Sequence, residues 1–354
     1  MTSRAPFELE WLGGVSEKHF RKVRPGIDEM PWGTLETADL PQLLVDRARV
    51  SWTEAAYNEY CTAAAFADLI GALLKTNAPV DLVGMASDFV ADEVLHVELT
   101  SRIAMELGGG APYEIDFTNL TLPETEGLTP FERANELVVR VCCVGEAFSV
   151  PMLAGCFRHA NHPLTKSVLE RIVQDEAPHG RFGFLYLGWA EPKMSPGEKD
   201  RLATVALDTL ELFAPHWTRL QSKTVDGVTS EGFRLEHIQR LGWNEAEAYA
   251  RAARRAVRQE ILAPLSKFGI DLDRPRTEAL LAAGPLGHDG ARVCAGPEAR
   301  WMTEVLAAAP CPVATPRLSG VEPRSGGRSG PQLPGPTICG AQAASSRQAA
   351  SSRE

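Results

Sequence analysis

Two pentads decide how this chain reads: Asp92-Glu93-Val94-Leu95-His96 and Asp175-Glu176-Ala177-Pro178-His179. Each sets a carboxylate and an imidazole three residues apart, which on a helix puts both on one face, able to hold one ion or two neighbouring ions. In a chain with 8 His, a lone Glu-x-x-His arises by chance roughly once and means little. Position along the chain adds the missing weight. Glu59 and Glu93 stand equally far from residue 76, beside a turn at Asn77-Ala78-Pro79, and Glu146 and Glu176 stand equally far from residue 161, in a turn at Asn161-His162-Pro163. In two antiparallel helical hairpins these pairs are level, so each Glu-x-x-His faces a Glu across its hairpin.

The flanking sequence supports those hairpins. From about residue 45 to 272, Ala, Leu, Glu and Arg dominate and apolar residues recur at three and four, with few strand signals. The pattern predicts helices over 47–75, 80–107, 130–160 and 164–189, then 195–220 and 244–268 on the outside. Pro79 and Pro163 enforce the hairpin turns, Gly108-Gly109-Gly110 ends the second helix, and Thr129-Pro130-Phe131-Glu132 is a capped start. Residues 111–128, with Pro112, Pro123 and Gly127, read as a crossover connection.

At about 1.5 Å per residue the four Glu lie ~25 Å from their turns, deep in an otherwise apolar interior. Buried carboxylates without partners cost several kcal/mol each, so they must be neutralised, and two divalent cations would do so. Four carboxylates and two imidazoles suit iron or manganese better than tetrahedral zinc or oxygen-only calcium. The Asp before each Glu predicts an outer support: Asp92 for His179 and Asp175 for His96, across the interior, each fixing a tautomer. Pro151 and Pro178 predict kinks near the site.

The set Glu59, Glu93/His96, Glu146 and Glu176/His179 resembles the ligand set of the ferritin-like di-iron carboxylate superfamily. The phrases Glu59-Tyr-Cys-Thr-Ala-Ala-Ala-Phe-Ala67 and Val144-Gly145-Glu146 resemble uncharacterised bacterial ferritin-like domain proteins. The resemblance spans about residues 45–190. It implies an all-α fold, a ferritin-like four-helix bundle over 46–192; around it the residue pattern predicts an N-terminal arm (1–45), accessory helices (193–272) and a low-complexity, disordered tail (273–354). It implies two iron ions, or iron with manganese, on Glu59, Glu93, His96, Glu146, Glu176 and His179. Ile172 stands where the loosely similar arylamine N-oxygenases carry a further His, which argues against that activity. Rubredoxin-type Cys pairs are absent, which argues against rubrerythrin-like electron transfer.

Other residues carry weaker signals. Cys142 and Tyr60 read as a buried small hydrophobe and a neighbour pointing away from Glu59, Ser149 as a backbone-bonded helix serine, and Arg140, Arg171 and Arg181 as surface or supporting partners. His216 has no carboxylate at ligand spacing.

Composition bounds the partners. The chain has 354 residues and a net charge of −10, which argues against nucleic acid and anionic membrane. No run of about 18 apolar residues, no leader pattern and seven scattered Cys without a CxxC pair predict a soluble cytoplasmic protein. The expected function is a non-haem di-iron oxidoreductase or monooxygenase. It would activate dioxygen at a carboxylate-bridged di-metal site to oxidise a small organic substrate, with electrons from an external reductase or from the substrate. No Gly-rich dinucleotide motif is present. The alternative is an iron/manganese-binding or oxidant-scavenging protein without an organic substrate; a bundle that stays empty is the third reading. A cavity of about 300 Å³ or more reaching the metals would mark the first. A homo-oligomer is compatible with the sequence.

Overall fold

The computed structural model describes residues 5–117, 120–121, 125–218 and 222–283. In chain order these form β1 (Ala5–Pro6), α1 (Gly14–Val23), α2 (Gln42–Lys75), α3 (Val80–Glu106), β2 (Glu114–Ile115), α4 (Pro130–Leu137), a π-helical stretch (Val138–Glu146) and α5 (Ala147–His159). They continue through α6 (Pro163–Ala190), α7 (Pro196–Phe213), α8 (Pro215–Thr218), β3 (Thr224–Val225), β4 (Val228–Thr229), α9 (Leu235–Arg240) and α10 (Ala246–Ala256). A second π-helical stretch (Val257–Leu262), α11 (Ala263–Ser266) and α12 (Arg274–Ala282) close the described chain. It is mostly helical, and the strands make two small antiparallel pairs, β1 with β2 and β3 with β4.

Sequence chemistry sets the boundaries. Asn77 takes the left-handed conformation (φ 52°) between α2 and α3, and Pro79 precedes the next helix. The Thr129–Glu132 capping box forms: the Glu132 amide donates to Thr129 Oγ1 (3.2 Å), and the Thr129 amide donates to Glu132 (2.8 Å). The Leu164 amide donates to the His162 ring (3.2 Å) at the start of α6, and the Glu198 amide donates to Ser195 Oγ (3.1 Å) at the start of α7.

Four long helical segments pack in a ring, α2 against α3, α3 against α6, α6 against α5, and α4 against α2. Their facing residues, such as Phe66, Leu69, Phe89, Leu99, Val139, Val168 and Phe182, are buried. α7 packs on the first π-helical stretch, and α8 and α10 extend that layer over α5.

Several boundaries differ from the expectation. α2 starts at Gln42, because the Pro41 carbonyl already accepts from the Leu44 and Val45 amides. α7 stops at Phe213, with Pro215 opening a separate turn. The assigned tail begins with a helix, α12, because Asp273 caps it through the Arg276 amide (2.8 Å) ahead of Pro275; the rest of the expected disordered tail, 284–354, lies outside the described residues. The N-terminal arm contains α1. Pro151 and Pro178 both lie inside continuous helices, and the departure from α geometry near them is the π-helical stretch.

Pro130–His159 is the one described helical segment long and apolar enough to cross a membrane. It also carries Glu136, Arg140 and Glu146. Glu136 is buried and is paired with Arg140 (3.3 Å) and Arg201 (2.9 Å).

Candidate metal centre

Each ligand candidate sits on one of the four long segments: Glu59 on α2, Glu93 and His96 on α3, Glu146 at the end of the π-helical stretch, Glu176 and His179 on α6. The structure brings all six together as two overlapping quartets. Glu59, Glu93, His96 and Glu176 form one, and Glu93, Glu146, Glu176 and His179 form the other, each offering ligand atoms within 4.8 Å of one another. Glu93 and Glu176 belong to both. His96 Nδ1 lies 3.2 Å from Glu176, 3.7 Å from Glu93 and 4.0 Å from Glu59. His179 Nδ1 lies 3.0 Å from Glu176 and 3.1 Å from Glu93. The shared carboxylates therefore turn one oxygen toward each imidazole.

Burial is nearly complete. Glu93, His96 and His179 are fully buried, Glu146 and Glu176 nearly so, and Glu59 is half-buried. Both oxygens of Glu93, the Glu176 Oε2 and both Nδ1 atoms have no hydrogen-bond partner within the protein. Buried polar groups that make no hydrogen bond beyond such ion-pair contacts are costly unless something binds between them. Oxygen-rich donors with one imidazole per quartet suit a divalent iron- or manganese-like ion.

Behind each imidazole stands the expected Asp from the opposite helix. His179 Nε2 is 3.5 Å from Asp92, and His96 Nε2 is 3.4 Å from Asp175. These are ion-pair contacts; neither ring N–H is aligned for a hydrogen bond. Each Asp is held in turn by an Arg: Arg24 Nε lies 2.8 Å from Asp92 and Arg171 Nε 2.6 Å from Asp175. Arg171 also donates to the Pro25 carbonyl (3.1 Å), so the two chains of contacts meet on the segment just after α1. Phe89 closes the other side, its ring centroid 4.0 Å from that of His179.

Electrostatics reflect crowding. Burial, reinforced by neighbouring carboxylates, pushes Glu59 and Glu146 well above the usual carboxyl range. Burial presses on His179 in the opposite sense, but Glu176 and Asp92 outweigh it and the ring is pushed up to about 12. His96 is likewise raised well above its ordinary value, against burial, by Asp175, Glu176 and Glu93. Glu176 is lowered despite its burial because both imidazoles face it. Without metal the cluster thus gathers protons.

A cavity of about 140 Å³ reaches Glu59, Glu146 and Glu176. One wall is aromatic, with Phe148, Phe213, His216 and Tyr249. This volume is below the expected 300 Å³. α7, α8 and α10 build that wall, a role their sequence did not announce.

The secondary candidates divide. Arg171 supports Asp175, while Arg140 pairs with Glu136 and Thr209 instead. Ser149 Oγ donates at 3.3 Å both to its own turn's Glu146 carbonyl and to the Glu146 carboxylate. Cys142 is buried, its thiol raised by that burial, and it belongs to neither quartet. Tyr60 meets Phe7 and Phe117 edge-on. Sequence reasoning missed Arg24, which no periodicity or spacing marks.

Comparison of the chain with protein-family models, with curated proteins and with solved structures gives no match.

Proposed function

We propose that the chain is a ferritin-like four-helix di-metal protein acting as a non-haem di-iron oxidoreductase, using dioxygen to oxidise a small organic substrate. The observation that carries this reading is the pair of quartets sharing Glu93 and Glu176, with orphaned donors aimed between them. Two ferrous ions, when bound, would supply the electrons and open coordination positions that dioxygen reduction needs. The chain's own part is positional. Glu93 and Glu176, common to both quartets, would serve both ions, with Glu59 and His96 completing the donors for one and Glu146 and His179 for the other. Asp92 and Asp175 draw the outer ring nitrogens away so that both Nδ1 atoms face inward. Apolar helix faces exclude bulk water. No described segment supplies a dinucleotide motif, so further electrons come from a separate reductase or from the substrate.

The cavity volume favours a second reading. At about 140 Å³ it is smaller than most substrate pockets, which suits a metal-binding or oxidant-scavenging protein without an organic substrate.

The test is elemental and optical analysis of anaerobically iron-loaded protein, followed by air. Two irons per chain and oxygen uptake with a substrate are expected. Glu93→Ala and Glu176→Ala should each lose both ions, since each residue serves both quartets. Fewer than one iron or manganese per chain in the parent protein overturns the proposal. Unchanged metal content in both variants removes these residues from the site.

A further inference from the structure

The cavity beside the quartets has a consistent polarity along its length. At one end stand Glu59, Glu146 and Glu176, with Asn58, Thr62 and Ser149 around them; the Asn58 Oδ1 is buried without a hydrogen-bond partner. Helix spacing carries the wall away from that end. On α2 the lining runs back through Ala55 to Trp52, and on α5 it runs forward through Met152 and Leu153 to Cys156. Both helices change from polar to apolar in the same direction.

One side of the lining is aromatic. The Phe148 ring lies 4.8 Å from Phe213 and 5.2 Å from His216 between centroids. His216 also stacks on Phe213 and on Tyr249, whose hydroxyl is 3.2 Å from His216 Nδ1. Such rings favour another ring set edge-on or offset against them. Among the described residues no Lys or Arg lines the cavity, and the carboxylates that do are Glu59, Glu146 and Glu176. An anion would lose its hydration there with no Lys or Arg among the described lining residues to replace it. Size sets the last limit: about 140 Å³ is close to the ~150 Å³ of an engineered apolar cavity that holds benzene.

We infer that this cavity binds an uncharged molecule of single-ring size, with its ring against Phe148, Phe213 and His216 and its one polar group toward Glu59, Glu146 and Glu176. The meaning of that orientation, a substrate group presented to the metals, rests on the di-metal proposal; the binding itself does not.

Isothermal titration of the full chain, metal-free and metal-loaded, tests it with three compounds. Phenol is neutral and has one ring, benzoate is an anion of one ring, and 1-naphthol is neutral with two. Phenol should bind in both states with a Kd at or below about 1 mM, and to the metal-free chain the other two should bind at least about tenfold more weakly, from lost hydration and from overfilling. Ala55→Phe, which adds a ring to the cavity's lining, should abolish phenol binding and leave metal stoichiometry unchanged. Leu153→Phe serves in its place if that variant does not fold. Absence of phenol binding overturns the inference, as does equal binding of benzoate or 1-naphthol to the metal-free chain, or phenol binding that survives a folded filled variant. Phenol binding with less than one metal per chain upholds the inference and overturns the di-metal proposal; two metals per chain with no phenol binding does the reverse.

Discussion

At the scale of single residues, the site depends on side chains that never touch the expected ions. Arg24 is nearly buried and spans Asp88 and Asp92, each at 2.8 Å, and Asp92 stands behind His179. Removing its guanidinium frees Asp92 to turn away, and His179 then loses the group that fixes its ring. Outer-shell losses of this kind weaken metal binding roughly 10- to 100-fold. Arg24→Ala should therefore weaken one of the two ions by that factor and leave the His96 quartet closer to parent affinity, because Asp175 keeps its own contact to Arg171 (2.6 Å). Arg24→Lys should restore only part, since an ammonium does not reproduce the forked contact to two carboxylates. Competition with a chelator measures both steps; two ions bound with parent affinity in Arg24→Ala would remove Arg24 from the site. The convergence of the six Glu and His side chains was legible because helical spacing and equal distance from a turn are properties of sequence. Arg24 was not, since its partners lie 64 and 68 positions away and nothing local marks it.

At the scale of elements, the close approach of α6 to the π-helical stretch fixes where Glu146 stands. Gly183 makes that approach possible: a Cβ there would lie 2.5 Å from Cys143 Sγ and 3.0 Å from the Cys143 backbone nitrogen. The backbone nitrogen is not free to give way as a flexible side-chain end would. Gly183→Ala should push the stretch outward, destabilise the fold by about 1–3 kcal/mol, and carry Glu146 away from Glu176. Chemical denaturation and metal stoichiometry check the two effects together; parent-like stability would show that the two segments have room to spare. Gly188, with nothing within 4 Å of a built Cβ, is the matched control. Helix ends were largely legible in the sequence through Thr129-Pro130, Ser195-Pro196 and the Asn77-Ala78-Pro79 turn. The π-helical register was not, because Val138 to Glu146 keeps an ordinary apolar pattern while one hydrogen-bond step lengthens. α12 was hidden for a different reason: it sits in a region whose Gly, Pro and Ala content reads as tail, and only Asp273 announces it.

At the scale of the whole molecule, the buried cluster ties stability to pH with a definite sign. Glu59 and Glu146 are raised above 4.5, and His96 and His179 above 6.5, His179 to about 12. All four hold protons in the metal-free fold more tightly than in the unfolded chain. Stability from the two His is fully present below pH 6.5 and is lost as pH rises toward their folded values; the Glu contribution falls from pH 4.5 upward. Asp175 and Glu176 are lowered and act in the opposite sense, but only below 3.8 and 4.5, so above that range they add a constant. The metal-free protein should therefore lose thermal stability steadily from pH 6.5 to 9. In the loaded protein, cations take the place of those protons, and its affinity for them rises with pH as fewer protons compete. The gap in melting temperature between manganese-loaded and metal-free protein should widen by at least about 5 °C between pH 6.5 and 9. Proton release on metal addition, read as a dependence of binding heat on buffer ionisation, gives the same quantity independently. A gap that stays constant across this range, with no proton release, would mean that the ions bind outside the Glu59–Glu93–Glu146–Glu176 cluster.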